Sequence, residues 1–228
     1  MGAVKIGICA KEKRDQVSKF QIEKCRLAPR DLTWRRFMRK NIQHIKYVLA
    51  LLLVFSSQAL HATQYSHAEA LALYTAHNLC MPSPQGDGRI QTLNKKGAMS
   101  PALDIASLQF IKDSANKKVL EIGGAYGKVM FEVLSKNSGT EYHINDLDER
   151  HLFIAAGNLQ NGIEKGNISQ AVLPKVKYIS GDITNKNFPI AEKYDAILIA
   201  RVMHFFSPEK MDSAITNFAR LLKPQGRI

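Results

Sequence analysis

The strongest constraint on the fold is a regular alternation of short apolar runs and amphipathic segments from about Lys117 onward. The apolar runs predict four strands, at Lys118–Ile122, Glu141–Asn145, Val176–Ser180 and Ala196–Ala200. Helical spacing follows each run, with Asp148 and Ser207 placed to cap two of the helices. Strands that alternate with helices in this way form a doubly wound parallel sheet, so the predicted fold class is α/β.

The segment before these strands predicts less regular structure. Residues 63–80 have apolar side chains near helical spacing, and residues 81–99 are rich in glycine and proline, which predicts a loop. Ser100-Pro101 is typical of a helix start, and residues 101–113 are predicted to form a short amphipathic helix. Residues 63–99 are therefore interpreted as an extension to a domain over residues 100–228.

Three successive predicted strands end in residues suited to binding a nucleoside. The first ends in a turn where Gly123 and Gly127 would let a ligand approach the backbone, although close helix–strand packing also explains glycine there. The second ends at Asp146, which can accept ribose hydroxyls, and the third at Asp182, which can accept from an adenine amine. Leu147 or Ile183 could pack on the adenine ring.

Residues 117–228 resemble the class I S-adenosylmethionine (SAM)-dependent methyltransferases, through VLEIGGAYG, Asp146, Asp182, AILIARVMHFF and ARLLKPQGRI. The resemblance implies a Rossmann-like fold with SAM as cofactor. It implies that Glu121 orients the methionine amino group and that Gly123, Ala125 and Gly127 match the glycines of the first motif. It also implies that Asp146 binds ribose and Asp182 adenine. Ala125 replaces the middle glycine of the family and Gln225 replaces a later one.

Two further features bear on the chemistry. A nicotinamide-binding fold would require a G-x-G-x-x-G turn, whereas this chain has G-G-A-Y-G, so SAM is favoured. The candidate catalytic base is His204, just beyond the fourth strand; the alternative is a histidine packed against the sheet edge. No Cys/His cluster has metal-ligand spacing, so no metal is predicted.

The net charge of +12 is concentrated in the N-terminal arm, because residues 1–40 hold 12 Lys/Arg and 4 Asp/Glu, which gives +8. The remainder of the chain is only mildly basic and gives no strong signal for nucleic-acid binding. Residues 38–62 resemble a secretory signal peptide, with basic residues, the apolar run Tyr47–Phe55 and small residues near Ala59. The alternative is a basic arm before a short membrane-associated helix, so residues 1–37 would be either upstream sequence or that arm.

The leader predicts export or membrane association, and a cytoplasmic location if it is not used. Because SAM is made in the cytosol, export would separate the domain from its cofactor. The chain is also predicted to be incomplete at its C-terminus, because a further strand only begins at Gly226-Arg227-Ile228 and the Ala196–Ala200 strand is left as an edge with unpaired backbone groups.

Three functional interpretations follow from the residues and the resemblance. The first is a methyltransferase that acts on an unidentified small molecule, lipid or protein. The second is a SAM-binding domain without turnover, and the third is a truncated, non-functional remnant. Binding of SAM separates the first two from the third, and methyl transfer separates the first from the second.

We predict that translation begins at Met38 and that export removes the leader near Ala59. Mass spectrometry of the N-terminus of the protein from its native cell would then find a chain that starts just after Ala59. A mature chain that begins at Met1 would contradict both parts of this prediction.

Overall fold

A computed structural model describes residues 62–228. The basic arm and almost all of the predicted leader, residues 38–62, lie outside the described residues. Between residues 62 and 228 there is no helix with the length and apolar character needed to cross a membrane.

The centre of the fold is a six-stranded sheet with strand order β1-β6-β5-β4-β7-β8. Strands β4 to β8 run parallel to their neighbours, while β1 pairs antiparallel with β6. The six strands are β1 (Thr63–Ser66), β4 (Lys118–Ile122), β5 (Glu141–Asp146), β6 (Val176–Ser180), β7 (Tyr194–Leu198) and β8 (Leu222–Arg227). Two-residue strands β2 (Ile90–Gln91) and β3 (Ala98–Met99) pair in a separate hairpin. The predicted α/β fold class is confirmed, and all four predicted strands are present.

Five helices lie between the strands, and most follow the predicted pattern. They are α1 (His67–Ala76), α2 (Ile105–Asp113), α3 (Lys128–Lys136), α4 (Glu149–Glu164) and α5 (Pro208–Leu221). Asp148 caps α4 and Ser207 caps α5, as predicted, because each side chain accepts a hydrogen bond from a backbone N–H of the first turn.

Strand β1 and helix α2 differ from the prediction. Residues Thr63–Ser66 form a strand rather than the start of a helix, and Ser66 then caps α1 in a capping box with Glu69. Helix α2 begins at Ile105 instead of Pro101, because Asp104 Oδ1 accepts from Ser107 N at 2.8 Å and supplies the cap.

The prediction that the fourth strand would be an unpaired edge is wrong. Helix α5 ends at Leu221, and the chain passes at once into β8, which pairs in parallel with β7. The register is irregular between Tyr194 and Ala196, and Gln225 has a left-handed backbone with φ of +65°. The Lys223-Pro224-Gln225-Gly226 segment therefore forms a bulged strand, where its sequence had indicated only a helix-ending turn.

The sheet is buried on both faces, as expected for parallel strands. Alternate residues of β4 separate two apolar cores: Val119 packs with α3 and α4, and Leu120 packs with α5. Because successive side chains of a strand point to opposite faces, the sheet positions its strand ends rigidly between two helical layers. The order of the strands reverses between β4 and β7, which is where ligands bind in open α/β sheets.

Asn217 of α5 fixes the segment that follows β6. Its Nδ2 donates to the carbonyl oxygens of Ile183 at 2.7 Å and Asn185 at 2.8 Å, and the side chain is 2 % exposed. Both carbonyl groups would lose these partners if the amide were removed.

We therefore predict that Asn217→Ala lowers the free energy of unfolding by roughly 1–3 kcal/mol. Chemical denaturation measures the change, and Thr216→Ala, on an exposed neighbouring position of α5, is the control. Equal midpoints for both variants would show that Asn217 does not hold this segment.

Candidate active site

A cavity of about 690 Å³ lies at the carboxyl ends of the parallel strands. Its volume falls within the range of about 300–1,000 Å³ that is usual for small-molecule sites. Eight of the nine predicted site residues line it: Glu121, Gly123, Ala125, Asp146, Leu147, Asp182, Ile183 and His204. Parallel pairing of β4, β5 and β6 brings these residues together from separate parts of the chain.

The ninth predicted residue, Gly127, is not part of the lining of this cavity. It caps α3 with a left-handed backbone, φ +76°, and a Cβ there would lie 2.9 Å from the Ala155 Cβ. Glycine at this position therefore permits close packing of α3 against α4, whereas the alternative offered by the sequence was close packing of a helix against a strand.

Gly123 forms the tight turn after β4. Its N–H donates to the Asn145 carbonyl at 2.8 Å, and its φ is +68°. A Cβ at this position would lie 2.3 Å from Val202 Cγ2, on the turn that follows β7. A larger side chain would thus collide with the protein itself, so Gly123→Val tests the turn and not only contact with a cofactor.

Glu121 is a buried carboxyl group at the edge of the cavity, with 4 % of its surface exposed. Tyr142 donates its hydroxyl to Oε2 at 2.8 Å. Burial raises the pKa of Glu121 to about 8; the Tyr142 hydrogen bond lowers it, and the negative charge of Asp146 raises it further. Glu121 is therefore protonated at neutral pH, and a cationic group beside it would favour the carboxylate.

Asp146 is hydrogen-bonded to three parts of the structure. Oδ2 accepts from Ala125 N at 3.0 Å, while Oδ1 accepts from Asp148 N and contacts His151 Nδ1, both at 3.0 Å. The residue is 8 % exposed and lines the cavity. Asp146 therefore organises the turn after β4 and the start of α4, in addition to offering a carboxylate to the cavity.

The residues predicted to contact adenine differ in their exposure to solvent. Leu147 is 63 % exposed at the cavity, whereas Ile183 is buried. Asp182 Oδ1 accepts from both the N–H and the hydroxyl of Thr184, and its Oδ2 lies 3.5 Å from Lys210 Nζ. A ligand amine at Asp182 would therefore compete with Lys210.

The segment that follows β7 carries His204, which is exposed and lines the cavity. Its ring lies 4.0 Å from the ring of Phe205, which is itself 54 % exposed. His204 is therefore not buried against the sheet edge. Arg201 has a left-handed backbone, φ +59°, and its Nε lies 3.3 Å from Asp104 Oδ2. This ion pair links the segment to the residues before α2.

The cavity wall formed by residues 92–107 could not be predicted from the sequence. The lining residues of this wall lie in the turn between β2 and β3, in β3 itself, and in the segment that leads into the start of α2. The hairpin is joined to the sheet domain by hydrogen bonds from Tyr126 Oη to the Gln91 carbonyl at 2.8 Å and from Leu93 N to His151 Nε2 at 3.0 Å. Side-chain contacts to backbone groups across such long sequence separations leave no periodic pattern to detect.

A second polar cluster lies at the amino ends of the strands, away from the cavity. Glu141, His143 and Glu192 have ligand-type atoms within 4.8 Å of one another, the one such group found among residues 62–228. Lys118 ion-pairs with both glutamates and Lys177 Nζ lies 3.0 Å from Glu192. Since the two lysines already neutralise the carboxylates, we interpret the cluster as an ion-pair network.

Comparison with known proteins gives one family match, the methyltransferase domain, over residues 120–228. A curated relative is the bovine (Bos taurus) tRNA N(3)-cytidine methyltransferase METTL2, 25 % identical over 125 residues, which are 54 % of this chain and 32 % of the relative. The chain thus spans about a third of that protein.

Solved structures with partial similarity include the glycopeptide N-methyltransferase MtfA in complex with sinefungin, at TM-score 0.45 and 17 % identity. That match covers 61 % of this chain and 57 % of MtfA. Another is a TehB-like SAM-dependent methyltransferase from Corynebacterium glutamicum, at TM-score 0.40 and 23 % identity, covering 54 % of this chain and 60 % of the other.

The raised pKa of Glu121 predicts a pH dependence of stability. An unfolded glutamate ionises near 4.5, whereas the folded protein holds the proton to about pH 8. The contribution of protonated Glu121 to the free energy of unfolding is therefore fully present below pH 4.5, and it is lost as the pH rises to about 8. Glu121→Gln cannot titrate, so the difference in unfolding free energy between wild type and variant should fall across this window. Denaturant titrations at several pH values measure it, and parallel profiles would contradict the assignment.

Proposed function

We propose, from the premise that residues 120–228 belong to the methyltransferase domain family, that this chain is a SAM-dependent methyltransferase. SAM would bind in the 690 Å³ cavity, and the acceptor would enter from the wall formed by residues 92–107. One observation carries the proposal: residues suited to bind the nucleoside part and the methionine part of SAM lie at the ends of three adjacent strands, and all of them line one cavity.

The residues around the cavity fit the parts of SAM. Glu121 offers a buried carboxyl group suited to the cationic methionine amino group. Asp146 Oδ2 has acceptor capacity left for a ribose hydroxyl, because the structure gives it one partner, Ala125 N. Leu147 presents an exposed apolar surface for the adenine ring, and Asp182 an acceptor for its amine. Each of these roles is a prediction from the family resemblance that the cavity geometry supports.

SAM, when bound, supplies a methyl group activated by a sulfonium centre. The chain's own contribution is to hold the acceptor in line with that methyl group and to limit water at the site, and alignment of this kind can supply about 7–11 kcal/mol. His204 lines the cavity and is exposed, so it is positioned to take a proton from an acceptor hydroxyl or amine.

The acceptor class remains a small molecule, a lipid or a protein group. The wall beyond the cofactor residues combines apolar side chains, among them Met99, Leu103 and Phe205, with the Arg201–Asp104 ion pair. SAM binding without turnover is the second candidate, and methyl transfer by the wild type would exclude it. His204→Ala then tests the proposed base, because it should lower methyl transfer without changing affinity for the demethylated product, S-adenosylhomocysteine (SAH).

Leu147→Ala provides a direct test of the binding site. Leu147 is 63 % exposed, so its truncation should leave the unfolding free energy nearly unchanged. If adenine covers this side chain, the variant should bind SAH with about 1 kcal/mol less free energy, which is roughly a fivefold weaker Kd. Isothermal titration calorimetry measures the change.

The matched control is Ile215→Ala, a half-exposed apolar residue on α5 that does not line the cavity. It should bind SAH like the wild type. Equal affinity for wild type and both variants would remove Leu147 from the site, and no SAH binding to the wild type would refute the proposed function.

A further inference from the structure

The hydrogen bonds of His151 define its tautomer. Leu93 N–H donates to Nε2 at 3.0 Å, so Nε2 carries no proton. The ring proton of neutral His151 is therefore on Nδ1, which donates to Asp146 Oδ1 at 3.0 Å. The ring is 1 % exposed and packs edge-to-face on Tyr126 at 5.2 Å. His151 is thus a fixed bridge between a cavity carboxylate and a backbone N–H of the hairpin region.

Few hydrogen-bond acceptor positions of the Asp146 carboxylate remain available to a ligand. Oδ1 already accepts from both Asp148 N and His151, whereas Oδ2 accepts from Ala125 N alone. A carboxylate offers about four acceptor positions, so a ribose hydroxyl would bind at Oδ2. The bound ribose would then hold the Asp146 carboxylate in one orientation. Because Oδ1 contacts His151, the His151 ring would be held in one position as well.

The hairpin depends on such anchors for its position. Strands β2 and β3 have two residues each, and a two-stranded hairpin is marginally stable by itself. Leu93 lies between Thr92 and Asn94, which both line the cavity. The Leu93–His151 bond is therefore one of the contacts that hold this wall against the strand ends, beside the Tyr126–Gln91 bond.

We propose that His151 is a positioning residue that couples the cofactor's ribose site at Asp146 to the β2–β3 wall, against which the acceptor binds. The inference rests on the proposed function, because the coupling needs a ribose at Asp146. In this arrangement, cofactor binding stabilises the ordered position of the β2–β3 wall. The ordered wall in turn strengthens cofactor binding, and the two equilibrium constants change by the same factor.

Two substitutions of His151 each remove one of its two hydrogen bonds and keep the other. In His151→Asn, the side-chain amide can occupy the place of Nδ1 and bond Asp146 but cannot reach Leu93. In His151→Gln, the longer amide can occupy the place of Nε2 and accept from Leu93 but loses Asp146. The control Tyr126→Phe removes a separate hairpin anchor, the hydrogen bond to the Gln91 carbonyl, without touching Asp146.

The experiment measures hydrogen exchange of the peptide spanning residues 90–99 in the full chain, with and without SAH, beside calorimetric SAH titrations. In the wild type, SAH should slow exchange at Leu93 at least about fivefold. Both His151 variants should lose this response. His151→Asn should weaken SAH binding by no more than about the same fivefold factor, because it loses the coupling but keeps the bond to Asp146, and His151→Gln should retain basal protection. Tyr126→Phe should exchange faster but still respond to SAH.

The outcomes separate the two proposals. If the wild type binds SAH while exchange over residues 90–99 is unchanged, the coupling is refuted and the proposed function stands. The coupling is also refuted if either His151 variant keeps the full response. If the wild type does not bind SAH, the proposed function fails and the coupling fails with it.

Discussion

The hydrogen bonding of Asp146 is the interaction on which the rest of the site depends. Its carboxylate joins the turn after β4 through Ala125 N, the start of α4 through Asp148 N, and the hairpin wall through His151. Parallel pairing of β4 with β5 brings the first two segments to one edge of the sheet, and the hairpin, which lies outside that sheet, is joined to them by the bond from Leu93 N to His151. A single buried carboxylate therefore sets the relative positions of the glycine turn, the helix and the opposite wall of the cavity.

The electrostatics of the cavity suit a ligand with a cationic end and a hydrogen-bonding end. Burial keeps Glu121 neutral near pH 7, while the pKa of Asp182 is lowered, against the effect of burial, by hydrogen bonds from Thr184 and by Lys210. A cationic amino group would draw Glu121 into its ionised form, and an amine at Asp182 would displace Lys210. Binding would thus change the protonation or pairing of acids at both ends of the cavity, which makes the ligand's charge a determinant of affinity.

The sequence predicted the sheet from Lys118 to Leu198 and most of the site because both follow local rules. Apolar runs define the strands, and the residues just after parallel strands must meet at one edge. It could not predict β1, whose four residues pair with β6 more than 100 positions away. It predicted only the beginning of a further strand at Gly226-Arg227-Ile228, whereas β8 already starts at Leu222 and includes Pro224 and Gly226, which had indicated a turn. The hairpin wall was also missed, because its anchors are single contacts from Tyr126 and His151 to backbone groups.

The central claim is that the cavity at the strand ends is a SAM site and not a nicotinamide site. Calorimetric titration of the full chain with SAH and, separately, with NAD⁺ tests this most directly. The account predicts one SAH bound per chain and no heat of binding for NAD⁺ under the same conditions. Binding of NAD⁺ without SAH, or no binding of either, would contradict it.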